Sequence, residues 1–164
     1  MFDQINGLPV HPLVVHAVVV LLPLAALGTL AIALRSSWRP RYGYLVTGAA
    51  LVSTALVPVA TSSGEALEHR VGDPGVHAQL GDQLIWFAVP LLVLAAALTW
   101  IGRQEAKPAG AADGPPGRGL TRTVTVLAVV AALAASVQIY RVGDSGARAA
   151  WGDKVSSTAS SGDR

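Results

Sequence analysis

Residues 13–34 read LVVHAVVVLLPLAALGTLAIAL, an unbroken apolar run in which His16 is the only ionisable side chain. A helix needs about 20 mostly apolar residues to cross the roughly 30 Å hydrocarbon core of a bilayer, so this stretch spells a membrane span. A cleaved signal peptide would need a basic start and an apolar core of about 7–15 residues. Residues 1–10 carry no Lys or Arg and the apolar run is longer, so the segment is expected to be retained.

Three further runs extend the pattern, at 44–60, 84–101 and 123–140. The last is the shortest in its apolar centre and spans only if Thr123, Thr125 and Gln138 lie near the interfaces. Hydrophobic residues make up 52% of the chain and charged ones 13%, with mean hydropathy +0.50, which is too apolar for an ordinary soluble domain. The reading is an all-α integral membrane four-helix bundle over residues 1–152, a multi-pass protein of the cell membrane whose first partner is the lipid bilayer. Cysteine is absent, which excludes disulfides, thiolate metal sites and covalently attached c-type haem. The net charge of +2 comes from residues grouped in short loops, which argues against nucleic acid as a partner.

Those loops orient the bundle. Arg35, Arg39 and Arg41 lie in one, and Arg103, Lys107, Arg118 and Arg122 in another. By the positive-inside rule both face the cytoplasm, which places the N-terminus, the connection 61–82 and the C-terminus outside. The tail complicates this with Arg141, Arg148 and Lys154, although Asp144 and Asp153 are interleaved. Trp38, Tyr42, Tyr44 and Trp100 mark the basic edge and Trp86 and Tyr140 the other, as in an aromatic belt. Pro23, Pro58 and Pro90 are expected to bend their spans, and Ala128, Ala132 and Ser136 form a small-residue stripe for close helix packing. Residues 107–119, rich in Pro and Gly, read as a flexible cytoplasmic linker, and the Ser-rich stretch 153–164 as a disordered tail. Between the second and third spans, Ser62 and Glu65 fit a capping box opening a short helix over 66–71, and Gly72–Gly75 a turn that closes it. A short ordered outer loop is implied.

All four histidines fall at that outer edge: His11 and His16 at the head of the first span, His69 and His77 before the third. Neutral imidazole is the commonest metal and haem-iron ligand. His16 is expected to face other helices, since polar groups in a span are usually buried against protein, and helical geometry separates it from His11 by roughly 140°. His77 and Gly81 are four apart and share a helical face, where a glycine would let a flat macrocycle approach. The functional reading pairs His16 with His77 as axial ligands of a b-type haem, with His11 and His69 as supporting or alternative ligands. Against it stands a plainer reading, in which the histidines cap helices and hydrogen-bond at the interface with no cofactor. Glu65, Glu68, Asp73 and Asp82 gather at the same edge, which leaves a mixed His/carboxylate site open. Nothing matches a metalloprotease helix, a nucleophile elbow, a phosphate loop or a dinucleotide fingerprint, so an enzyme is not favoured.

The segments Ile5–Pro12 with Val15–His16, 61–81 ending in His77-Ala78-Gln79-Leu80-Gly81, and Val142–Ala147 with Trp151-Gly152 together resemble the domain of unknown function 2231 family. The resemblance implies a four-helix bacterial membrane protein. Some relatives are fused to Rieske-type iron–sulfur domains, which points to electron transfer with a membrane or extracytoplasmic redox partner. The family's histidine positions match His11, His16 and His77, whereas Asp144 stands where relatives often carry His. Two functions follow: a small haem b electron-transfer module, or a non-redox accessory or assembly subunit whose His and carboxylate groups form a structural cap. Oligomeric state is not legible here.

Overall fold

A computed structural model describes residues 4–5, 8–71, 75–108 and 116–161. A two-residue antiparallel ribbon, β1 (Gln4–Ile5) with β2 (Leu8–Pro9), leads into helices α1 (Val10–Leu34), α2 (Arg39–Val71), α3 (Val76–Asp82), α4 (Ile85–Glu105) and α5 (Arg118–Ser161). A 3₁₀ turn at Ser36–Trp38 joins α1 to α2. Apart from the ribbon the described chain is helical. Four stretches, His11–Leu34, Ser36–Ala66, Val76–Glu105 and Arg118–Ala149, are long and apolar enough to cross a bilayer.

The four long helices stand in a ring, α1 against α2 and α5, and α4 against the same two. Small residues allow this close approach. Ala25, Ala26, Ala50, Ala88, Ala132 and Ala135 are buried around Leu22 and Leu91 in one core cluster, while Ala33, Ala95 and Ala128 surround Ile32 and Leu98 in a second. Large residues such as Val20, Leu24, Leu27, Val93, Val130 and Leu133 point outward. A bundle with apolar groups both inside and outside suits a lipid solvent, where packing rather than water exclusion joins helices.

The two hairpins repeat one burial pattern. Advancing each number by the interval from His11 to His77 turns the buried Val18, Leu22, Ala25, Thr29, Ile32 and Ala33 of α1 into Leu84, Ala88, Leu91, Ala95, Leu98 and Thr99, all buried. The interval from Ala60 to Val142 turns the buried Val46, Ala50 and Ser53 of α2 into the buried Ala128, Ala132 and Ala135 of α5. Together with the ring order, this relates α1–α2 to α4–α5 by an approximate two-fold along the bundle axis.

One sequence expectation changes here. Ser62 does not cap a new helix: α2 runs unbroken through it, and its hydroxyl donates to the Pro58 carbonyl at 2.7 Å. The Thr61 hydroxyl donates to the same Pro58 carbonyl at 3.1 Å, so both side chains bond back within a continuing helix. At 33 residues, α2 is about 50 Å long, so it projects well beyond a hydrocarbon core. The last helix, α5, is 44 residues long and runs to Ser161. Most of the linker, 109–115, and the turn at 72–74 lie outside the described residues.

The third span carries a break that its apolarity does not announce. Leu84 N–H bonds Gly81 O at 3.0 Å, and Trp86 and Phe87 make similar short-range bonds to Gln83 and Leu84, so the helix tightens between α3 and α4. With Leu84 N–H turned to Gly81, the Leu80 carbonyl receives the side-chain amide of Gln138 instead, at 3.0 Å. Gln138 is therefore buried between helices near the histidine end of the bundle.

Candidate functional site

His11 lies in the first turn of α1 and reaches across to α2. Its Nδ1 is 3.0 Å from the Ala60 carbonyl and 3.1 Å from Ser63 Oγ, and the Ser63 hydroxyl itself donates to the Ala60 carbonyl at 3.0 Å. Ring packing explains the residue that follows: a Cβ on Gly64 would stand 3.0 Å from His11 Cε1. Glycine leaves the imidazole room to lie against the helix backbone.

His77, the second residue of α3, repeats this on α5. Its Nδ1 is 3.2 Å from the Val142 carbonyl and 3.3 Å from Ser145 Oγ, with the Ser145 hydroxyl donating to Val142 at 2.9 Å. A Cβ on Gly146 would approach His77 Cε1 to 2.9 Å. Each imidazole thus meets a carbonyl, a serine three residues on and a glycine one further. The shared geometry constrains the chemistry: a carbonyl only accepts, so Nδ1 carries a proton, and in a neutral imidazole so bonded the lone pair is on Nε2. Both rings lie at one end of the bundle, at the heads of α1 and α3.

The other expected residues fall differently. His16 is exposed rather than turned toward the other helices, and its Nδ1 bonds the Pro12 carbonyl of its own first turn. Of the two histidines of α1, His11 is the one that faces a neighbouring helix. At Gly81 an added Cβ would meet nothing within 4 Å, so that position is open and no close approach requires glycine there. His69 is carried on the last turns of α2, and its side chain, with those of Glu68 and Asp73, lies outside the described residues. Glu65 and Asp82 are exposed. Among the described residues no three His, Asp or Glu side chains gather as a metal-holding group. Asp144 pairs within α5 with Arg148 at 2.9 Å.

The opposite end holds a residue that charge counting assigns only to topology. Arg39 is 4% exposed. It donates to the carbonyls of Ile32 (3.0 Å) and Ala33 (3.3 Å) at the end of α1 and to Thr125 Oγ1 of α5 (3.0 Å), and it lies 3.7 Å from Glu105, the last residue of α4. Carbonyls in the last turn of a helix lack intrahelical donors, and one guanidinium satisfies two of them while joining all four helices. Gly102 makes this possible, since a Cβ there would fall 2.2 Å from Arg39 Cβ.

A family model described as a predicted membrane protein (DUF2231) matches residues 7–159, nearly the whole chain, and the chain belongs to that family. No curated protein and no solved structure matches it.

Proposed function

We propose that this member of the DUF2231 family is a non-catalytic accessory module of the cell membrane, an assembly subunit whose histidine end is a structural cap. The carrying observation is the duplicated junction, in which His11 and His77 each spend Nδ1 on the carbonyl and serine of a neighbouring helix. Such bonds tie α2 to the head of α1 and α5 to the short α3 at one end of the bundle. In this reading the basic loops face the cytoplasm and the histidine end faces outward. Purified full-length protein should be colourless and should unfold at a lower temperature when either histidine is replaced by alanine. A protein that melts as the wild type does after both replacements would remove the structural role.

A second reading rests on the tautomer. An imidazole whose Nδ1–H is held by a carbonyl presents Nε2 for coordination, the arrangement in which metal-bound histidines are commonly oriented. His11 and His77 would then hold a b-type haem, which would supply one-electron exchange with a redox partner. An absorption spectrum after expression with added haem separates the readings: a Soret band abolished by His11→Ala or His77→Ala supports the haem, and its absence under those conditions supports the cap.

A further inference from the structure

At the basic end, three arginines each lie over an aromatic ring. Arg35 is 5.1 Å from the Trp38 ring centre, Arg41 5.3 Å from Tyr42, and Arg103 4.7 Å from Tyr44. Trp38 and Tyr42 also meet edge to face at 5.6 Å. All three arginines are exposed, and Arg118 and Arg122 open α5 at the same level, also exposed. Among the described residues Glu105 is the acid at this end, and it faces the buried Arg39. Immediately beside the arginines, Leu34 and Leu45 are 78% and 74% exposed.

Such a rim has two demands. Its cations need anions, and the adjoining leucines need apolar contact. An arginine resting on a ring keeps its N–H edges available, and the fork of a guanidinium matches phosphate oxygens. Tyr and Trp favour the headgroup level of a bilayer. One amphipathic partner meets both demands, and neither a soluble acidic protein nor free phosphate would cover the leucines. We propose that the rim formed by Arg35, Arg41 and Arg103 with Trp38, Tyr42 and Tyr44 binds the phosphate headgroups of anionic phospholipids, whose acyl chains continue along the exposed leucines.

An anionic surface attracts a nearby Lys or Arg by about 1 kcal/mol, roughly five-fold in affinity, so three arginines should give a preference on the order of 100-fold for anionic over zwitterionic lipid. The test measures binding of full-length protein in detergent to phosphatidylglycerol, phosphatidylcholine and inorganic phosphate, read by tryptophan fluorescence and thermal shift. Phosphatidylglycerol alone should bind tightly and raise the melting temperature, and R35Q/R41Q/R103Q should lose the preference while Arg148→Gln, at the other end, keeps it. Should the triple variant fail to fold, the wild-type preference is measured against salt, where it should collapse as charges are screened. Equal binding of the two lipids, a preference that survives the triple replacement or high salt, or an equal response to inorganic phosphate would overturn the proposal.

Discussion

Gly64 and Gly146 show how much of the histidine end depends on single atoms. Each is a helical residue whose added Cβ would press on an imidazole at about the closest distance any Cβ tolerates. Gly64→Ala and Gly146→Ala are therefore expected to push His11 and His77 off their carbonyls. The gain in helix propensity, up to about 1 kcal/mol, should be outweighed by a lost bond and a half-buried imidazole N–H left without its acceptor, together costing about 1–3 kcal/mol. A thermal melt of each variant in detergent should show a lower midpoint; higher midpoints would mean the rings yield without cost. Counting and placing histidines is enough to find this end of the protein from sequence. Choosing among them is not, because His16 on a turn of helix 1 looks as internal as His11 until the helix phase is fixed by packing. Ser63-Gly64 was the available signal. The same dipeptide recurs at Ser145-Gly146, but Ser62 and Glu65 beside the first copy imitate a capping box and draw the reading toward a helix start.

Element boundaries follow the same division. Apolar runs announce four spans because lipid tolerates few polar groups, and α1 coincides closely with its run. The ends of α2 and α5 are not legible in this way, since both continue as helices through polar stretches. Nor is the α3–α4 break, whose freed carbonyl at Leu80 is met by a glutamine from α5 distant in sequence. The burial of Arg39 is not legible for a related reason: position in a basic loop says nothing of burial. Arg39→Met would leave the Ile32 and Ala33 carbonyls without their donor and Glu105 without its cation. The loss is expected to be about 2–3 kcal/mol, below the full cost of a broken buried pair because Glu105 is 37% exposed. Gly102→Ala tests the same junction sterically. Backbone atoms of Arg39 would lie 3.1 and 3.2 Å from the new Cβ, so α2 and α4 must part, and a variant as stable as the wild type in a denaturant or heat titration would refute the contact.

For the whole molecule, the basic and histidine ends lie at opposite ends of α1, so orientation of one fixes that of the other. Cysteine introduced at Ser37 should resist an impermeant thiol reagent in intact cells and react after lysis; labelling in intact cells would invert the bundle. Both ends are bound by polar residues reaching between helices, Arg39 at one and His11, His77 and Gln138 at the other. The approximate two-fold makes the two histidine junctions comparable by construction, and thermal unfolding of His11→Ala, His77→Ala and His16→Ala, side by side in one detergent, tests that most directly. The account predicts that the first two each lose about 1–3 kcal/mol of stability, similar in size, while His16→Ala, exposed and bonded only within its own helix, changes little. Destabilisation by His16→Ala equal to theirs, or no effect of His11→Ala and His77→Ala, would contradict it.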